Sequence, residues 1–181
     1  LAVFAVAKAS RHGLRLAVVG WLGSCLLVIP VVQIAASMDL DKSPYLTKSA
    51  QGRLMRWSEI TSRIGEAPLL GLGVDGMRYS YDAALRKTGC TTELGVCATG
   101  RHPHNVYLQV WYELGLVGMA VFASLGLAVL RLIGDTSDRV KPYALATFTA
   151  TAAMIAFSWS LWQLWLCCAI AIAFLLIALA H

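Results

Sequence analysis

Four long apolar runs, at residues 16–36, 114–130, 143–157 and 161–180, are set against polar segments of very unequal length. The first run has 21 residues, enough for a helix to cross a bilayer core of about 30 Å. Pro30 and Gly20 within it are tolerable as local kinks. Before it, the apolar opening LAVFAVA is too short to cross and reads as the tail of a helix already under way. This pattern predicts an all-α, multi-pass transmembrane fragment of a larger protein.

Residues 37–103 are polar, rich in glycine and charged, and no stretch of them is apolar enough to span. Two shorter helices are predicted there. Residues 51–64 carry Leu54, Trp57, Ile60 and Ile64 on one helical stripe, which marks an amphipathic helix; Gly65 and Pro68 end it. Residues 77–87 form the second, followed by Gly89, Gly95, Gly100 and Pro103 in irregular backbone. The expected organisation is a helix tail and one span in 1–36, a large loop in 37–103, and a helix entering and crossing the membrane in 104–133. A turn at 134–142 and an apolar helical hairpin at 143–181 complete it.

Charge orients these elements. Lys8, Arg11 and Arg15 precede the first full run, and Arg139 and Lys141 lie in the short turn after the third helix; by the positive-inside rule both ends are cytoplasmic. The loop 37–103 then lies on the far side. The net charge of +5 would suggest nucleic acid in a soluble chain, but 58% hydrophobic residues and a mean hydropathy of +0.66 exclude that class. Nine basic and seven acidic residues leave the loop at +2, which suits an anionic, lipid-linked substrate and no nucleic acid.

The candidate chemistry gathers at RHPHNVYLQVWYELGLVG, residues 101–118. If the helix is continuous from Asn105, His104, Leu108, Trp111, Gly115 and Gly118 share a face. An imidazole then stands above an aromatic and two glycines that admit another backbone. The same continuity puts His104 about 15 Å beyond Leu114 at 1.5 Å per residue, and Trp111, Tyr112 and Glu113 at the membrane interface. Arg53 shares a stripe with Trp57, Ile60 and Ile64, whereas Arg56 and Arg63 fall on the side shared with Glu59. A guanidinium on an apolar face calls for an anionic partner, and its forked donors suit phosphate. The alternative is that Arg53 snorkels outward.

For His104 the choice lies between a base or phosphate partner and a locally bonded histidine, and for Asn105 the alternative to a substrate contact is a helix cap. Arg101 and Arg78 are further candidates for phosphate or sugar contacts; His102 is weaker. Cys90 and Cys97, in an oxidising compartment, read as a disulfide. A zinc site of Cys90, Cys97, His102 and His104 is the alternative, although its spacing matches no common finger. Residues 71–76 satisfy GxGxxG but follow a helix and a proline, so they read as a turn whose amides either face an anion or do not. No HExxH, GxSxG or Walker pattern is present.

His104 and Asn105, nine residues, Gly115, two residues and Gly118 resemble the signature of the O-antigen ligase and polymerase superfamily of bacterial envelope membrane proteins. Arg53 and Trp57, followed by Pro68, Gly71 and Gly73, resemble the family's arginine-plus-tryptophan helix and glycine turn. The resemblance covers roughly residues 50–130. It implies an inner-membrane enzyme with residues 37–103 in the periplasm. The implied reaction moves a glycan from an undecaprenyl-diphosphate carrier to an acceptor, in ligases the lipid A core, with membrane lipids as surroundings and no metal, nucleotide sugar or other cofactor.

In that setting His104 and Arg53 are the catalytic pair, and Arg101, Arg78, Asn105 and Trp57 contact substrate. The family's further diphosphate arginine, in an earlier segment, is not assigned to Arg11, which lies at the cytoplasmic end; either that residue precedes this fragment or the mechanism differs. Within the family the alternative is a polymerase or exopolysaccharide enzyme that extends a growing glycan. Outside it, a non-catalytic transporter of lipid-linked sugars would need polar residues inside the spans, and these are nearly absent.

Overall fold

The structure, a computed structural model, describes residues 12–89 and 100–179. Among these residues every regular element is helical: α1 (Gly13–Ser37), α2 (Lys48–Arg63), α3 (Gly76–Thr88), α4 (Val106–Asp135), α5 (Lys141–Ile155) and α6 (Leu164–Leu179), with short 3-10 turns at Leu40–Lys42 and Ile64–Glu66. α1 and α4 are long and apolar enough to cross a membrane, and only 17% and 22% of their apolar windows is buried. Their outward faces are therefore apolar, as a lipid environment requires. α6 is apolar but shorter.

α2 begins three residues before the expected start at 51 because Thr47 caps it, the side-chain oxygen accepting from Ala50 N at 3.3 Å. Such a cap is worth about 1 kcal/mol. α3 ends at Gly89 in the left-handed conformation, which only glycine adopts without cost. Pro142 lies in the first turn of α5, where its missing N–H is harmless.

The main core joins α1, α4 and α5. Trp21 is its centre: the indole donates to Ala123 O at 3.0 Å and packs against Tyr107, Phe122 and Phe148 at centroid distances of 5.1–5.7 Å. Gly126 makes room for that ring, since a Cβ there would stand 2.1 Å from it. Trp111 donates to Cys25 O at 2.8 Å and Tyr107 to Ala152 O at 3.0 Å, tying α4 to both neighbours. A second, smaller core of Ile60, Met77 and Tyr112 holds α2 and α3 against the start of α4.

α4 is not continuous. Gly115 has φ +62° and ψ −159°, which breaks the helix into two pieces. Residues 68–73 enter the break. Leu72 N and Gly73 N donate to the carbonyls of Tyr112 and Glu113 at 3.1 and 2.8 Å, while Leu116 N and Val117 N donate to the carbonyls of Pro68 and Leu69 at 2.9 and 3.1 Å. Both helix ends left open by the break are thus satisfied by one loop. The contact is backbone on backbone: a Cβ on Gly71 would lie 2.3 Å from Glu113 C, and one on Gly115 would lie 2.5 Å from Leu69 C. The turn amides at 72 and 73 face helix carbonyls, which resolves the GxGxxG segment as a structural clip.

Candidate functional site

His104 does not stand on the face of α4. It precedes the helix with φ +55°, and Asn105 is the N-cap, its Oδ1 accepting from Leu108 N at 3.1 Å. The expected stack of His104 above Leu108 and Trp111 is corrected accordingly: the cap turns the chain one residue before the helix begins. A left-handed histidine costs of order 1 kcal/mol, and such conformations gather at functional sites. Asn105 is buried, so its contribution here is to aim the segment before it.

That segment is held from two sides. Trp57 of α2 donates its indole N–H to Pro103 O at 2.6 Å, one residue from His104 and one turn from Arg53. On the other side Trp159, in the turn between α5 and α6, packs tilted against His102 at 5.2 Å and edge-on against His104 at 5.1 Å, with the two imidazoles 4.3 Å apart. The apolar hairpin expected over 143–181 gives no sign that Trp159 meets the histidines.

Two cavities flank this cluster. One, of about 350 Å³, is lined by Arg53, Trp57, Leu54, Phe157 and the residues around Thr47. The other, of about 390 Å³, is lined by Arg56, Tyr81, Arg101, His102, His104 and Trp159, with Leu85 and Gly100. Arg56 therefore differs from its expected place beside Glu59. Glu59 faces Arg63 instead, at 3.9 Å, and Arg63 also reaches Glu66 at 3.1 Å. Neither Arg53 nor Arg56 has a carboxylate partner among the described residues.

The unpaired guanidiniums set the local electrostatics. Burial, then the charges of His102, Arg53 and Arg56, push the His104 imidazole down to about 4. Burial and Arg56 lower His102 as well. Arg56 is itself pushed below the ordinary arginine range by burial and by Arg53. A region whose cations disfavour one another when empty is one that an anion stabilises.

The remaining candidates are placed differently. Arg101 lines the second cavity, bonded through Nε to Asp82 at 2.9 Å and lying over Tyr81 at 5.9 Å. Arg78 pairs with Asp75 at 3.5 Å and approaches Asp82 at 3.9 Å, outside the lining of both cavities. Cys90 and Cys97 lie outside the described residues, and with them the disulfide and zinc readings. No group of three or more His, Cys, Asp or Glu among the described residues is arranged to hold a metal.

Glu113, expected at the interface, is fully buried. Its Oε1 accepts from Met77 N at 3.1 Å, and its Oε2 from Gln109 Nε2 at 3.0 Å and Trp162 Nε1 at 2.5 Å. Gln109 also donates to Ser160 Oγ at 2.9 Å and accepts from Leu161 N at 2.8 Å. This network fixes the turn that carries Trp159 to the helix that follows His104. Polar groups so buried are tolerable only when paired.

Apolar outer faces, a broken long helix and a cationic, histidine-bearing site are consistent with a helical membrane protein that holds a polar site beside its apolar helices. Residues 1–123 match the family model described as O-antigen ligase, and the chain belongs to that family. It is 33% identical over 146 residues to a protein of Rickettsia bellii provisionally named a polysaccharide ligase, covering 79% of this chain and 35% of the relative. A similarly named protein of Rickettsia conorii is 29% identical over 145 residues, with the same coverage. The chain spans about a third of the length of the curated relatives it matches. No solved structure matches it.

Proposed function

We propose that this chain carries the reacting site of a membrane glycosyltransferase that moves a glycan from undecaprenyl diphosphate to an acceptor, in the ligase case the lipid A core. The reading includes a multi-pass position in the bacterial inner membrane with residues 37–103 in the periplasm. The observation that supports it is the Trp57–Pro103 hydrogen bond of 2.6 Å, which ties the helix that carries Arg53 to the residue before His104. Membership of the O-antigen ligase family supplies the reaction class.

An acceptor hydroxyl attacks the anomeric carbon of the donor. The bond from that carbon to the phosphate oxygen breaks, and the diphosphate leaves with the electron pair. Arg53 offsets the charge that develops on the leaving group, an interaction stronger in the transition state than in the ground state. The hydroxyl proton passes to the His104 imidazole. In the empty site that imidazole is a weak base, held near 4. A diphosphate bound beside Arg53 cancels the Arg53 part of that field and raises the proton affinity of the imidazole, so the base gains strength when donor arrives.

The test uses the full-length protein in a deletion strain with matched expression, scoring glycan transfer to lipid A core. Arg53→Ala and His104→Ala are expected to lower transfer about 10²-fold or more, with lipid-linked donor accumulating, while Arg63→Ala transfers normally. Normal transfer in both site variants removes the assignment. Loss of long donor chains with transfer intact reassigns the site to a polymerase.

A further inference from the structure

The two cavities differ in chemistry. Around Arg53 the walls are mostly Leu46, Leu54, Trp57 and Phe157, with Arg53 as the one charged lining residue. The larger cavity presents two aromatic rings, Tyr81 and Trp159, together with Arg56, Arg101 and both histidines. Asp82 is shared between Arg101 at 2.9 Å and Arg78 at 3.9 Å. Among the described residues Arg56 has no carboxylate partner. Its Nε is buried and unpartnered, closed over by the backbone of Gly100, where a Cβ would stand 3.0 Å from that nitrogen.

Three classes of occupant can be weighed. A lipid chain fits poorly beside an uncompensated guanidinium. A bare phosphate accounts for Arg56 but gives Trp159, which is 51% exposed, and Tyr81 nothing to cover. A sugar ring accounts for both, because its C–H face lies against aromatic rings while its polar edge meets fixed donors. An acidic group on that sugar would complete the cation set.

We propose that this cavity seats an acidic sugar of the acceptor, a ring bearing a carboxylate or a phosphate, with its face on Trp159 and its charge on Arg56. His104 lines the same cavity, whereas Arg53 lines the other, so an acceptor hydroxyl seated there approaches the base from a different cavity than the one holding Arg53. The inference rests on the glycan-transfer reading above and names its second substrate by chemistry.

The full-length protein in lipid nanodiscs is titrated calorimetrically with glucuronate, glucose 6-phosphate, glucose and inorganic phosphate, and transfer from lipid-linked donor is assayed on the same preparation. Both acidic sugars are expected to bind about tenfold or more tightly than either glucose or phosphate. Arg56→Gln should bring them down to the level of glucose, and Trp159→Ala should weaken all three sugars. The decisive comparison is made on wild type, so a variant that fails to fold does not obscure it. Equal binding of glucose and the acidic sugars overturns the proposal, as does phosphate binding as tightly as the acidic sugars. Absence of transfer in wild type overturns the glycosyltransferase reading instead, whatever the sugars do.

Discussion

Residues 106–114 and 116–135 belong to one helix by length and to two by environment. In the first piece no residue is exposed, and Gln109 and Glu113 are buried among partners from α3 and the turn before α6. In the second, Met119, Gly126, Leu130 and Ile133 form a narrow buried seam, while Leu116, Val117, Val121 and Leu125 are about half exposed or more. The first piece is a polar scaffold enclosed by protein, and the second is an apolar rod that meets its surroundings directly. A membrane helix can carry a site at its end only if polar groups there are fully paired before the backbone enters lipid. The break at Gly115 is where the enclosed piece gives way to the exposed apolar one.

The comparison is broken most severely at its junction. Gly115→Ala or Gly71→Ala would drive a Cβ into backbone atoms at 2.3–2.5 Å, at residues with φ +62° and +65°. Backbone cannot move aside as a side-chain tip can. Either change is expected to cost about 3 kcal/mol or more, read as a large drop in the unfolding temperature of the protein in detergent. Gly65→Ala, with nothing within 4 Å of its Cβ position, should stay within about 0.5 kcal/mol of wild type. A Gly115→Ala protein as stable as wild type would mean that α4 is continuous and the distinction between its pieces false.

Within the pieces the expected effects are smaller and opposite in kind. Glu113→Ala removes a carboxylate and leaves the Met77 amide, the Gln109 amide and the Trp162 indole without their acceptor. Each buried donor so orphaned costs about 1–3 kcal/mol. Val121→Ala shortens a side chain that is 56% exposed on the apolar face, and in lipid it should change stability by less than about 0.5 kcal/mol. Thermal unfolding of both variants in nanodiscs measures the ranking. Equal losses would mean that both pieces lie in one environment.

Legibility in the sequence follows the same division. The apolar rod and α1 could be read almost to their ends, because a long apolar run reports its own surroundings: residues 16–36 were expected and Gly13–Ser37 is found. The first piece could not. Gly115 acquires its positive φ from contact with residues 68–73, and no periodicity along α4 encodes a partner forty residues away. Asn105 did carry a usable signal, since a cap implies that His104 lies outside the helix. The four-residue spacing of Gln109 and Glu113 was another. Arg56 was misplaced for a different reason: an i,i+3 wheel allowed it Glu59, whereas Glu59 faces Arg63, and the second cavity is closed by Gly100 and Trp159 from other segments.

The smallest effect concerns protons, and it sharpens the contrast because it belongs only to the end where the first piece begins. His104 in the folded protein titrates at about 4, below its ordinary value near 6.5. Between those values the unfolded chain takes up a proton that the folded one refuses. Stability from this group is therefore fully present above about 6.5 and falls as pH drops toward 4. His102, lowered by burial and Arg56, acts in the same direction. Because His104 is only partly buried, solvent screening keeps the contribution modest. Unfolding temperatures at pH 7 and 5 should show a smaller acid-induced drop in His104→Asn than in wild type. The apolar piece, whose charged residues Arg131 and Asp135 lie at its far end, should add nothing to the difference. Parallel drops in the two proteins would place the acid sensitivity elsewhere and remove the positive field of Arg53 and Arg56 from the account of His104.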